Sequence, residues 1–73
     1  MEEDLLTIWK EVFKTVDIGV THDFFMDLGG NSIIGMTLIS KLKKYFGKKI
    51  RISFNDILEY NTIQAFSNYI LTL

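Results

Sequence analysis

Leu5, Ile8, Trp9, Val12, Phe13 and Val16 fall at i, i+3, i+4, i+7, i+8 and i+11. That spacing puts six apolar side chains on one face of an amphipathic helix. The helical period returns in Gly35, Leu38, Ile39, Leu42, Tyr45 and Phe46, and again in Ile63, Phe66, Ile70 and Leu73. Strand-like alternation nowhere runs longer than Lys49–Ser53. The pattern therefore predicts an all-α fold: a four-helix bundle with three longer helices, one short third helix and a long loop between helices 1 and 2.

Local signals set the expected boundaries. Asp4 is the plausible N-cap of the first helix, with Gly19 beyond its end. The segment from Asp17 to Asn31 has no long period, and connections of that length are uncommon unless functional. Phe24, Phe25, Met26 and Leu28 should fold it back over the bundle, with Phe25 the more buried of the adjacent pair. Asp23 should cap a short turn starting at Phe24. The second helix should run from Ser32 to Phe46, with Lys41, Lys43 and Lys44 on its outer side and Gly47 as its stop. Gly35 inside that helix costs about 1 kcal/mol against Ala, which close approach by another backbone would explain. Ser53-Phe54-Asn55-Asp56 approximates a capping box for the short helix. Asn61 or Thr62 should cap the last one, and Asn61 with Gln64 has the capping-box spacing. Trp9, Phe13, Phe46 and Phe66 are expected in the core.

Size narrows the function classes. The 73 residues are expected to form one domain with a single core, residues 1–73. Such a core supplies only about 3–5 kcal/mol net without staples. The chain has no cysteine, which excludes disulfides and a Cys-based zinc site. Glu2, Glu3 and Asp4 are the reverse of a basic signal-peptide start, and no uncharged apolar stretch approaches the ~20 residues of a membrane span. A cytoplasmic protein without a membrane role is the expectation. Six of the eight basic residues lie between Lys41 and Arg51, whereas Leu28–Ser40 carries no charge at all. A neutral stretch at a helix start is either buried or a surface kept neutral for partners.

That start is where chemistry is possible. Gly29 and Gly30 permit a tight turn. Ser32 follows where unpaired N–H groups and the positive end of the helix dipole favour an anion. Taken alone, Gly-Gly-x-Ser before a helix most simply means an N-cap. The upstream run then sharpens it. Asp23-Phe24-Phe25-Met26-Asp27-Leu28-Gly29-Gly30-Asn31-Ser32-Ile33 resembles the signature of carrier-protein (thiolation) domains, in the peptidyl carrier variant of nonribosomal peptide synthetases. Ile52–Ile63 resembles the second, weaker block of that family. Asn31 stands where Asp or His is usual, Asn61 where a Pro is usual, and Leu58 where Phe is common.

The resemblance implies a non-catalytic carrier bearing 4′-phosphopantetheine, taken from coenzyme A, on Ser32. Gly29, Gly30 and Asn31 would form the loop presenting the serine. Helix geometry adds a surface: with the inner face supplied by Gly35, Leu38, Ile39 and Leu42, Ile33 and Met36 lie one turn apart at its edge and should be partly exposed beside Ser32, where they and Leu28 would meet partners. The implied partners are a phosphopantetheinyl transferase and adenylation, condensation and thioesterase-type domains, acting on a monomeric domain. Strongly acidic fatty-acid carriers fit the neutral start and lysine-rich end of the second helix poorly. An acyl carrier of a hybrid polyketide/peptide pathway, and a small helical interaction module without a prosthetic group, are the alternatives.

Other chemistries fit worse. Gly30-Asn31-Ser32-Ile33-Ile34-Gly35 reads G-x-S-x-x-G, one residue too long for a nucleophile elbow, and no sheet exists to hold a triad. The single histidine, His22, reads as a solvated loop residue. No P-loop motif is present. A recognition helix would offer basic or polar side chains in its N-terminal half, and here that half is neutral, so no nucleic-acid partner is expected. The Lys41–Arg51 cluster reads as a solvated face, with steering of partners or of coenzyme A as its sharper use.

Overall fold

In the computed structural model, which describes residues 1–73, four α-helices follow one another without a strand. They are α1 (Glu2–Phe13), α2 (Ser32–Phe46), α3 (Phe54–Glu59) and α4 (Ile63–Ile70). α1 packs on both α2 and α4, and α3 closes against α2. Leu5, Ile8 and Trp9 from α1 meet Leu38, Ile39 and Leu42 from α2 and Ile63, Phe66 and Ile70 from α4 in one core. Each set keeps the helical spacing of the sequence, because only residues three and four apart share a face. Trp9 lies edge-on to Phe66 at 5.7 Å. Its indole N–H is buried without a hydrogen-bond partner, at a cost of about 1–3 kcal/mol.

The ends differ from expectation in instructive ways. Met1, not Asp4, is the N-cap of α1, so Glu2, Glu3 and Asp4 all lie in the first turn, where acids complement the dipole. α1 stops at Phe13 because Lys14 turns left-handed (φ 55°) and returns its N–H to the Lys10 carbonyl. Val16 is thereby lost from the inner face and is 84% exposed. α2 runs over the predicted span, from Ser32 to Gly47 as C-cap. Tyr45 is exposed, not internal, and its hydroxyl donates to Asp4 at 2.9 Å. Phe13 and Phe46 are half-buried at the core's edge.

The capping box of α3 forms as expected: the Ser53 N–H donates to Asp56 Oδ2 at 2.8 Å. Thr62, not Asn61, caps α4 by accepting from the Ala65 N–H at 3.0 Å. α4 ends at Ile70, which leaves Leu73 outside the core and exposed. No helix is long and apolar enough to cross a membrane.

Candidate functional site

The segment before α2 is held from three directions. Asp23 Oδ1 accepts from the N–H groups of Phe25 (2.8 Å) and Met26 (3.0 Å), the expected cap of a short turn. Its other oxygen accepts from Asn61 Nδ2 at 2.6 Å. The Phe24 N–H donates to the Asn61 carbonyl at 2.7 Å, and the Gly30 N–H returns to the Phe24 carbonyl at 2.8 Å. Upstream, the Gly19 N–H donates to His22 Nδ1 at 2.9 Å. His22 is therefore a half-buried loop brace, not a solvated residue.

Phe24 is fully buried and Phe25 half-buried, the reverse of the expected order. The Phe24 N–H is fixed to the Asn61 carbonyl, and the ring turns inward to meet Phe13 edge-on at 5.3 Å. Phe25 bridges outward to Phe24 (4.7 Å) and to Phe54 of α3 (6.3 Å). Both glycines of interest pack beneath aromatic rings. A Cβ on Gly30 would fall 2.6 Å from Phe24 Cδ1, and one on Gly35 would overlap the Phe54 ring. The neighbour that Gly35 accommodates is thus a side chain, not a backbone. Gly29 adopts φ +68° with nothing near its missing Cβ, so there the requirement is conformational.

Asn31 is the N-cap of α2: its Oδ1 accepts from the Ile34 N–H at 3.0 Å. Because Asn31 does the capping, Ser32 is the first helical residue and its hydroxyl is not engaged as a cap. Ser32 is exposed. The Gly35 N–H bonds the Asn31 carbonyl at 2.8 Å, which leaves the Ser32 and Ile33 N–H groups as the unpaired donors of the first turn. No acid lies in that turn. A negative charge on the Ser32 oxygen would meet two free donors and the positive end of a 15-residue helix, with no repelling carboxylate on it. The residues present fit a phosphodiester at this hydroxyl. Beside it, Ile33 is 78% and Met36 65% exposed, and Leu28 is half-buried.

Across residues 3–70 the sequence matches the family described as "Phosphopantetheine attachment site". The chain belongs to that family. Its members are carrier domains with a covalently attached 4′-phosphopantetheine. Relatives agree over nearly the whole chain. Gramicidin S synthase 2 of Brevibacillus brevis is 41% identical over 70 residues, 96% of this chain. Polyketide synthase PksN of Bacillus subtilis is 34% identical over all 73 residues. The chain spans only 1–2% of the length of these proteins. The solved structure of BlmI, a type-II acyl-carrier-protein from Streptomyces verticillus involved in bleomycin biosynthesis, superposes with a TM-score of 0.85 at 25% identity. That match covers 97% of this chain and 82% of BlmI. The all-α bundle read from the sequence is the fold of this carrier family.

Two residues of the site escape sequence reading. Asn61 looks like a helix cap, yet it holds the loop that precedes Ser32. Phe54 looks like a first-turn residue of α3, yet its ring covers Gly35 behind the serine. Both act across long sequence separations, 38 residues in the Asp23–Asn61 bond, and leave no local signal.

Proposed function

We propose that Ser32 carries the 4′-phosphopantetheine arm, and that the domain shuttles aminoacyl or peptidyl thioesters between the catalytic domains of a nonribosomal peptide synthetase. The observation that supports this most is the division of labour at the start of α2. Asn31 caps, so Ser32 stands exposed and unengaged beside two free N–H donors. Attachment by a phosphopantetheinyl transferase forms an Oγ–P bond to the phosphopantetheine phosphorus of coenzyme A as its pyrophosphate P–O bond breaks, with adenosine 3′,5′-bisphosphate leaving and the Ser32 proton passing to a base of the transferase. The group supplies a terminal thiol that holds the acyl unit as a thioester. The chain's own residues do the rest. Gly29, Gly30 and Asn31 set the position of the serine, and the α2 N-terminus stabilises the phosphodiester charge. Tethering replaces diffusion by a high effective concentration at each partner.

The domain performs no chemistry of its own in this reading. Residues 1–73 act as one cytoplasmic, monomeric carrier unit. Adenylation, condensation and thioesterase-type domains would meet the neutral surface made by Leu28, Ile33 and Met36. Met suits a surface that meets several partners in turn.

The test is intact mass after incubation with a phosphopantetheinyl transferase and coenzyme A. The wild-type chain should gain one phosphopantetheine. Ser32→Ala should gain none while its far-ultraviolet circular dichroism stays the same. A mass gain in Ser32→Ala would move the site elsewhere, with Ser53 the first place to look.

A further inference from the structure

At the end of the bundle away from Ser32, the last turn of α2, the segment after it and the end of α4 enclose a groove of about 530 Å³. Phe46, Ile50, Ile70 and Leu73 line it with apolar surface. Lys49 and Arg51 supply its only charges, and both side chains are exposed. No carboxylate lines it. Here Leu73, outside the core as α4 ends, becomes a wall. The cations nearest the groove come from the Lys41–Arg51 cluster, which neither the attachment chemistry nor the core uses.

We propose that this groove is a docking site for an apolar–acidic peptide segment: one large apolar side chain on the Ile70 floor, flanked by carboxylates that meet Lys49 and Arg51. Charge decides the class of occupant. A neutral apolar peptide would leave two cations unpaired at the rim, and a basic one would be repelled. Shape decides between peptide and small molecule. Pockets that hold small ligands enclose most of the ligand surface, whereas this groove is open along one side, the form that accepts an extended or helical segment.

Position gives the site its use. Phe46 lies 14 residues beyond Ser32 on the same helix, about 21 Å along its axis. A segment seated there leaves Ser32, Ile33 and Met36 uncovered. Such a tether would raise the local concentration of a partner without competing for the surface beside the arm. This use rests on the carrier reading, but the groove itself does not. The mass experiment on Ser32 tests the first, and binding to the unmodified chain tests the second.

The probe is a capped hexapeptide of two leucines, one phenylalanine and three glutamates, titrated into ¹⁵N-labelled protein. Amide shifts should concentrate at Phe46, Lys49, Ile50, Arg51, Ile70 and Leu73 and leave Gly29–Met36 unmoved. The double variant Lys49→Glu/Arg51→Glu, exposed at both positions and expected to melt like wild type, should weaken binding roughly fivefold to tenfold. The same hexapeptide with lysines for glutamates should not bind.

Four results would each overturn the proposal. They are shifts centred on Ile33–Met36, equal affinity for the double variant, absence of any shift at millimolar peptide, and decanoate filling the groove where the peptide does not. Shifts at the groove that grow with protein concentration alone would assign it to a second copy of the chain instead.

Discussion

The loop before Ser32 and the first turn after it are both rich in apolar residues, and the structure uses them in opposite ways. In the loop, Phe24 is swallowed by the core and Asp23 is bonded to Asn61, 38 residues along the chain. In the first turns of α2, Ile33 and Met36 face water on a helix whose other face, through Leu38 and Ile39, is fixed in the core. The anchored loop sets the position of the serine. The exposed turn offers a surface that nothing in the domain covers. A side chain carried past many partners needs both a rigid base and an uncommitted face, and here they meet at Ser32.

Substitutions on the anchored side should break the comparison most strongly. Phe24→Ala removes a fully buried ring and should cost about 3–5 kcal/mol, as much as the whole net stability of a domain this size. Urea unfolding should show a largely unfolded population in buffer, with modification of Ser32 slowed to match. Phe25→Ala, at a half-buried position, should stay folded. If the two variants melted alike, the assignment of Phe24 as the anchor would be wrong.

Gly30→Ala sharpens the same point at a smaller scale. Its methyl would overlap the Phe24 ring, so either the ring or the loop must shift. A loss of about 1–3 kcal/mol in the chemical-denaturation midpoint is expected.

On the exposed side, Ile33→Asp and Met36→Asp should change stability by no more than about 0.5 kcal/mol, since neither side chain is in the core. Their effect should appear only with partners, as slower aminoacylation by an adenylation domain or slower condensation at an unchanged melting temperature. Collapse of both variants would place these residues in the core and erase the contrast between loop and turn.

The smallest effect belongs to the far end of α2. The hydrogen bond to Asp4, reinforced by the charge of that carboxylate, raises the Tyr45 pKa above the usual phenol value. A raised folded-state pKa means the contact contributes fully below the unfolded value and is lost as pH rises through the folded one. Phenolate absorbance should therefore show Tyr45 ionising late, and Asp4→Asn should bring it earlier. Modification of Ser32 at neutral pH should not respond to either change.

Much of this architecture was legible in the residues. Leu5, Ile8 and Trp9 reach the core because a helix presents one face every 3.6 residues, and that period is written locally. The bounds of α2, the capping box at Ser53–Asp56, the turn capped by Asp23 and the exposure of Ile33 and Met36 follow from the same short-range rules. The tight turn at Gly29–Gly30 follows from them too, but the residues alone make Ser32 the simplest N-cap, and it is the structure that gives the cap to Asn31 and leaves Ser32 free. Val16 and Leu73 keep the helical period yet lie outside the core, because periodicity shows which face a residue would occupy but not where the helix ends. A left-handed Lys14 and the stop at Ile70 decided that.

The order of Phe24 and Phe25, the role of Asn61, the ring that covers Gly35 and the groove beneath Leu73 belonged to tertiary structure alone. Inside a loop there is no repeating phase to tell one phenylalanine from the next. Only the bond from the Phe24 N–H to a carbonyl 37 residues away turns one ring inward and the other out. What the chain by itself determined is where its helices lie and which serine stands at the head of one. What the fold decided is which neighbours, distant in sequence, hold that serine still, because such contacts depend on how the helices are brought together and not on any local pattern.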